Sequence, residues 1–177
     1  IYTLYKYIMI IYLYGLPAAG KNFVGDIFKN NFNFYFQDAD EYLPKLMKDK
    51  LQKGEHFTIE DVKNYHKIIA ERIYQLKEHH KLVITQASLF EEHRKIIKKK
   101  NPSIIFIHIK SDRDTIISRL KTRKGYVTKE YMLDLEKYLE ISIDDYVIYN
   151  GYQETQDTII LQISRYFSKS NMYSLVT

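Results

Sequence analysis

The sequence predicts an α/β domain: a parallel β-sheet covered by helices on both faces. Two observations carry this. Short apolar runs rich in β-branched and aromatic residues alternate with amphipathic stretches along the whole chain. Strand and helix in strict alternation pack in this way, because each crossover returns the chain to the same sheet edge. A third observation is local. Segment 15–22, Gly-Leu-Pro-Ala-Ala-Gly-Lys-Asn, lies directly between the first apolar run and a helical stretch.

Strands are predicted at 8–14, 32–36, 82–85, 104–109 and 146–149. After Thr58, the residues Val62, Tyr65, Ile69, Ile73 and Leu76 recur at spacings of three and four, the period of an amphipathic helix. Thr58 and Asp61 form a capping pair at its start. Thr128 is placed to cap a further helix running to about Leu139. Asn101-Pro102 and Asn150-Gly151 read as turns.

The chain of 177 residues suits one domain with a full core. It shows no linker, repeat or low-complexity block, so 1–177 is read as a single unit. Residues 168–177 read as a polar tail. The stretch 1–16 is apolar apart from Lys6; it is too short for a membrane span and lacks a cleavage-site pattern. Residues 1–8 are expected to be an over-extended start or a non-native extension, which intact-mass analysis of the native protein would check.

The chain contains no cysteine, which excludes disulfides, cysteine-ligated zinc and thiol nucleophiles and suits a cytoplasmic protein. The six histidines show no metal-ligand spacing. The net charge of +5 fits a solvated basic surface or the attraction of anionic ligands. Lys98, Lys99 and Lys100 carry no accompanying stacking motif, so nucleic acid is not the expected partner.

Segment 15–22 matches the P-loop pattern G-x-x-x-x-G-K, in the strand–loop–helix context its mechanism needs. Glycines at both ends let successive N–H groups turn inward toward phosphate oxygens. The following helix N-terminus adds partial positive charge, and Lys21 would reach the β- and γ-phosphates. The nucleotide-binding set is therefore Gly15, Pro17, Ala18, Ala19, Gly20, Lys21, Asn22 and Phe23. The last motif position departs from the pattern: Asn22 stands where a Ser or Thr hydroxyl normally ligates Mg²⁺. Either its carboxamide oxygen ligates, or the metal rests on carboxylates and water, or metal-dependent catalysis is lost.

Asp38 and Asp40 follow the second strand, at the sheet edge where ligands gather. Transfer of a phosphoryl group to a hydroxyl needs one carboxylate at the acceptor and another for Mg²⁺, partly through water. Asp40 is assigned to the acceptor and Asp38, with Asn22, to the metal; the pair also suits a helix N-cap near Glu41. Arg119 and Arg123 are four residues apart in 118–125, so they share a helix face. There they would clamp the transferring group from a short basic lid that excludes water. The catalytic set is Lys21, Asp40, Arg119 and Arg123. Gln86 and Ser88 after the third strand, together with Arg94, Asp38, Asp40 and Arg123, are candidates for binding substrate. Asn150 after the fifth strand joins Arg119 as a candidate contact to nucleotide, although Asn-Gly is also a turn.

Together these residues resemble the gluconate kinase branch of the shikimate kinase-like P-loop kinases, from about Met9 to Phe167. Segment 38–44 looks like that family's D-G-D-x-x-H-P element. Gly54-Glu55, with Asp61 downstream, looks like G-E-P-L-x-D-x-D-R, and segment 118–125 is similar to the S-R-L-x-x-R-x-G lid. The resemblance implies a P-loop NTPase three-layer sandwich with sheet order 2-3-1-4-5, ATP and Mg²⁺ as cofactors, a sugar-acid hydroxyl as acceptor, and a homodimer. The acceptor side departs from the family. Leu43 replaces a His, Val62 an Arg, and Phe90 a Lys within 86–90. A site built to hydrogen-bond its substrate loses much when those groups go, so kinase is better supported than gluconate. Other acceptors (shikimate, a nucleoside or nucleotide, adenylyl sulfate) and an ATP-binding module with little turnover remain alternatives. A shikimate site would be expected to show a Gly-Gly pair after the third strand, which Gln86-Ala87-Ser88 lacks.

Overall fold

The computed structural model describes residues 8–123 and 127–170. Strand β1 (Met9–Tyr14) is buried along its whole length and forms the centre of a five-stranded parallel sheet. Around it lie β2 (Tyr35–Asp38), β3 (Lys81–Thr85), β4 (Ile104–Lys110) and β5 (Tyr146–Tyr149), in the order β2-β3-β1-β4-β5. The order 2-3-1-4-5 and the three-layer architecture are as expected. Tyr12 pairs with Ile84 of β3 on one side and Phe106 of β4 on the other.

Because side chains alternate along a strand, β1 feeds two cores. Met9, Ile11 and Leu13 pack against α1 (Lys21–Phe32) and α7 (Gln156–Lys169) through Val24, Phe28, Ile159 and Phe167. Ile10, Tyr12 and Tyr14 face α3 (Ile59–Gln75) and α4 (Glu91–Lys100) through Tyr65, Ile69, Ile73 and Ile97. The helices α2 (Lys45–Gln52), α5 (Arg113–Thr122) and α6 (Lys129–Glu136) contribute side chains to one cleft with the strand ends. Among the described residues no helix is long and apolar enough to cross a membrane.

Several local expectations are met atom by atom. Asp61 N–H donates to Thr58 Oγ1 at 3.1 Å and Thr58 N–H to Asp61 Oδ2 at 2.9 Å, a reciprocal capping box at the start of α3. Thr128 caps α6 by accepting from Tyr131 N–H.

Three boundaries differ by more than one residue. The apolar run 32–36 is split: Phe32 ends α1, Asn33 caps it at φ 57°, and the strand begins at Tyr35. An Asn tolerates this left-handed turn, and the shift brings Asp38 into β2. Helix α6 stops at Glu136 rather than Leu139, because Glu140 N–H is drawn to Leu89 O at 3.0 Å and the last turn tightens into i→i+3 bonds. Residues 168 and 169, read as tail, are the last turn of α7, where Ser168 Oγ donates to Ser164 O. Residues 1–7 and 171–177 lie outside the described residues.

Candidate active site

The carboxyl edge of the sheet opens into a cleft of ≈ 450 Å³, within the usual range for small-ligand sites. Segment 15–20 leaves β1 and enters α1 along its floor. Gly15 (φ 148°) has no room for a side chain, since a Cβ would lie 2.5 Å from Ile109 O. Gly20 (φ 91°) is tighter still: a Cβ would lie 2.0 Å from Asn150 Nδ2. No side chain caps the first turn of α1 and no acidic residue occupies it, so its N–H groups and dipole are directed at the loop. Lys21 folds over this loop, donating to Gly15 O at 3.1 Å and Leu16 O at 2.9 Å. Burial lowers its ammonium to about 8, with the Asp40 charge acting in the opposite sense.

Across the cleft, Asp38 ends β2 and caps the 3₁₀ turn Ala39–Tyr42 by accepting Asp40 N–H at 3.0 Å. The cap reading and the site reading therefore hold together, because Asp38 also lines the cleft with Asp40. Tyr65 Oη donates to Ala39 O at 2.6 Å and fixes this turn to α3. Burial raises the Asp40 carboxyl above its ordinary range, and the Asp38 charge adds to the rise. Gln86, one residue past β3, donates to Asp40 Oδ1 at 3.0 Å.

Arg119, on the last turn of α5, reaches the P-loop from above, with Nη1 3.3 Å from Ala19 O and 3.4 Å from Ser111 Oγ. Arg119 and Arg123 do not share a continuous helix face. Arg123 is the extended C-cap of α5 (ψ 128°), although both side chains line the cleft. Lys124 and Gly125 of the expected lid lie outside the described residues. Phe23 is 42 % exposed and lines the cleft mouth with Pro17, Ala18 and Asn22.

Three sequence candidates are placed differently. Ser88 is buried and takes φ 40°. Its hydroxyl joins Tyr12 Oη at 2.7 Å and His66 Nε2 at 2.8 Å, behind the cleft wall. Arg94 is 2 % exposed. Its guanidinium donates to Ser88 O, Leu89 O and Glu140 O and lies 4.1 Å over the Tyr14 ring. It is a structural strut, because a planar five-donor fork can satisfy several buried carbonyls at once. Asn150 is buried beneath the P-loop, donating to Ala19 O at 2.9 Å. It holds the loop, and Ser111 Oγ anchors it by donating to Asn150 O.

Sequence reasoning missed Thr85, the last residue of β3, whose hydroxyl donates to Asn22 Oδ1 at 2.8 Å. It also missed the apolar wall of Leu51, Phe57, Val127, Tyr131 and Leu135. The strand-end position of Thr85 was a usable signal. The wall gathers from three separate segments and has no sequence signature. Of the three departures on the acceptor side, Leu43 is buried in the core and Phe90 packs on His93 and Tyr138. The Val62 carbonyl accepts from the His66 ring.

The sequence model of the shikimate kinase family matches residues 17–164, most of the chain and nearly all of the cleft. The chain belongs to this family. Within it, the thermoresistant gluconokinase of Escherichia coli (strain K12) is 30 % identical over 125 residues, covering 70 % of this chain and 71 % of that protein. A gluconokinase from Sinorhizobium meliloti 1021 superposes with a TM-score of 0.79 at 16 % identity, over 97 % of this chain and 99 % of its own. A shikimate kinase from Bacteroides thetaiotaomicron gives 0.65 at 16 % identity, over 92 % and 98 %. At those identities the structures establish the common fold. Family membership makes the chain a small-molecule kinase, a phosphotransferase with a P-loop.

Proposed function

We propose that this kinase transfers the γ-phosphoryl group of ATP to an alcohol group of a sugar acid, as a gluconate kinase-like enzyme. The observation that carries the reading is convergence. Lys21 on the P-loop, Asp40 with its Gln86 partner, and Arg119 with Arg123 face one cleft from four different elements. The 30 % identical gluconokinase supports the acceptor class.

In this reading the P-loop amides, the N-terminus of α1 and Lys21 bind the phosphates. Asp40 accepts the proton of the acceptor hydroxyl as its oxygen attacks the γ-phosphorus and ADP leaves. Its raised carboxyl pKa moves it toward the range suited to a general base. Arg119 and Arg123 offset charge on the transferring group. The Asp38 carboxylate would hold Mg²⁺ together with substrate phosphates and water, an oxygen donor set of the kind that ion uses. When bound, that ion supplies charge neutralisation between the β- and γ-phosphates. The absence of cysteine fits a cytoplasmic enzyme, and the resemblance favours a homodimer.

A second reading is favoured by the apolar wall of Leu51, Phe57, Val127, Tyr131 and Leu135. An acceptor with an apolar ring face would bury against it, whereas an open-chain polyol would not. ATP consumption with Mg²⁺ across sugar acids, polyols, shikimate and nucleosides, with a control lacking acceptor, tests both. Gluconate as best acceptor supports the first reading; a ring acceptor selects the second. A flat panel with ATP binding confirmed separately sinks the alcohol-acceptor assignment.

A further inference from the structure

The departure at the end of the P-loop has a geometric answer. Asn22 spans two strand ends: its Nδ2 donates to Asp38 Oδ2 at 2.5 Å, and its Oδ1 accepts the Thr85 hydroxyl at 2.8 Å. The orientation of the carboxamide is fixed, because a carboxylate is acceptor-only and must meet the NH₂ group. The side chain therefore presents donors, not an oxygen, toward Asp38. Its oxygen is turned to Thr85, which is buried at the end of β3. A Ser or Thr here would offer one oxygen in place of a separate donor nitrogen and acceptor oxygen.

We infer that Asn22 is a positioning residue and not a metal ligand: it holds Asp38, and the divalent cation is carried by Asp38, nucleotide phosphates and water. The inference rests on the ATP-dependent kinase reading. Physically, the carboxamide does for Asp38 what partners in the outer shell of other metal sites do: it fixes the orientation of the ligand. Asp38 Oδ1 is held in turn by Asp40 N–H, so the carboxylate is oriented from both ends, by α1 and by its own turn.

The test counts water on the metal. Mn²⁺ is bound to the whole chain with a non-hydrolysable ATP analogue, and the bound waters are counted from electron paramagnetic resonance line broadening in ¹⁷O-enriched water. Asn22→Ala should keep the water number of the unsubstituted protein, since no ligand is lost. Its Mn²⁺ affinity should fall on the order of 10-fold, the lower end for loss of an outer-shell partner. Asn22→Ser should show one water fewer, as the hydroxyl enters the coordination shell. One extra water in Asn22→Ala, or a water number in Asn22→Ser above that of the unsubstituted protein, overturns the inference. Failure of the unsubstituted protein to bind Mn²⁺ with nucleotide, while Mn²⁺ alone and nucleotide alone are checked separately, would overturn the kinase reading along with it.

Discussion

Gln86 donates from Nε2 to Asp40 Oδ1 at 3.0 Å, and its own Oε1 accepts the Ser88 N–H at 3.0 Å. The carboxamide thus ties Asp40 to a backbone held by the buried Ser88–His66–Tyr12 cluster. We predict that Asp40→Asn lowers kcat by roughly 10²–10⁴, the usual contribution of a general base, with ATP affinity nearly unchanged. Gln86→Ala should lower kcat by a smaller factor, about 10-fold, because one hydrogen bond to a charged group is lost. Steady-state kinetics with nucleotide binding measured separately checks both. Normal turnover in Asp40→Asn would remove it from the acceptor role.

Lys21 should govern the alkaline side of nucleotide capture. Burial lowers its ammonium to about 8, so the unliganded enzyme loses this charge as pH rises through about 8. Bound phosphate favours the charged form and raises the value again. We predict that kcat/KM for ATP falls above pH 8 while kcat holds to higher pH, since the two report free enzyme and complex respectively. On the acid side, Asp40 must be ionised to accept a proton. Its raised carboxyl places the acid limb above the ordinary carboxylate range. A limb unchanged in Asp40→Asn would assign it elsewhere. Lys21→Ala should lose most activity with its circular dichroism spectrum intact.

Arg94 is predicted to act on stability. Its removal leaves the carbonyls of Ser88 and Glu140 without their side-chain donor, while Leu89 O keeps the Glu140 N–H, and it uncovers the Tyr14 ring. Each buried group left unpaired costs about 1–3 kcal/mol, so with two carbonyls affected Arg94→Ala should lose about 2 kcal/mol or more in urea unfolding. Arg94→Lys should recover little, because an ammonium cannot reproduce the fork. The Michaelis constants of whatever fraction stays folded should hardly move; a large rise in the acceptor KM with stability unchanged would return Arg94 to the substrate site.

The sheet and the P-loop were legible because their signals are local: short continuous apolar runs rich in β-branched and aromatic residues, a loop pattern of fixed spacing, and a Thr58–Asp61 box within one turn. Arg94, Ser88 and Asn150 were misplaced for the opposite reason. Ser88 and Asn150 lie just beyond strand ends and Arg94 in the first turn of α4, where a sequence gives position along the chain but not depth. Their burial is decided by Tyr14, His66 and the P-loop carbonyls, which reach them from distant segments. Asn33 shows a smaller case, where one left-handed residue inside an aromatic-rich run moved the strand boundary.

Asn150 yields the last prediction. Its Nδ2 donates to Ala19 O from beneath, and the same nitrogen occupies the space a Gly20 side chain would need. The P-loop therefore rests on this amide at the point where it turns into α1. Asn150→Ala removes the bond and opens a small gap, so the loop should lose its preorganised shape while the sheet stays intact. We predict a drop in ATP affinity of about 10-fold, of the order expected when one net hydrogen bond of about 1 kcal/mol and its ordering effect are lost. The acceptor KM should be little affected. Gly20→Ala should be far more damaging, because the added carbon must displace Asn150 and the backbone sits at φ 91°. Combining Asn150→Ala with Gly20→Ala relieves the clash but not the backbone strain. Partial recovery of ATP binding in the double variant, measured by calorimetry against each single one, is the expected result. Equal loss in Gly20→Ala and in the double variant would show that the Asn150 contact plays no part in the intolerance at Gly20.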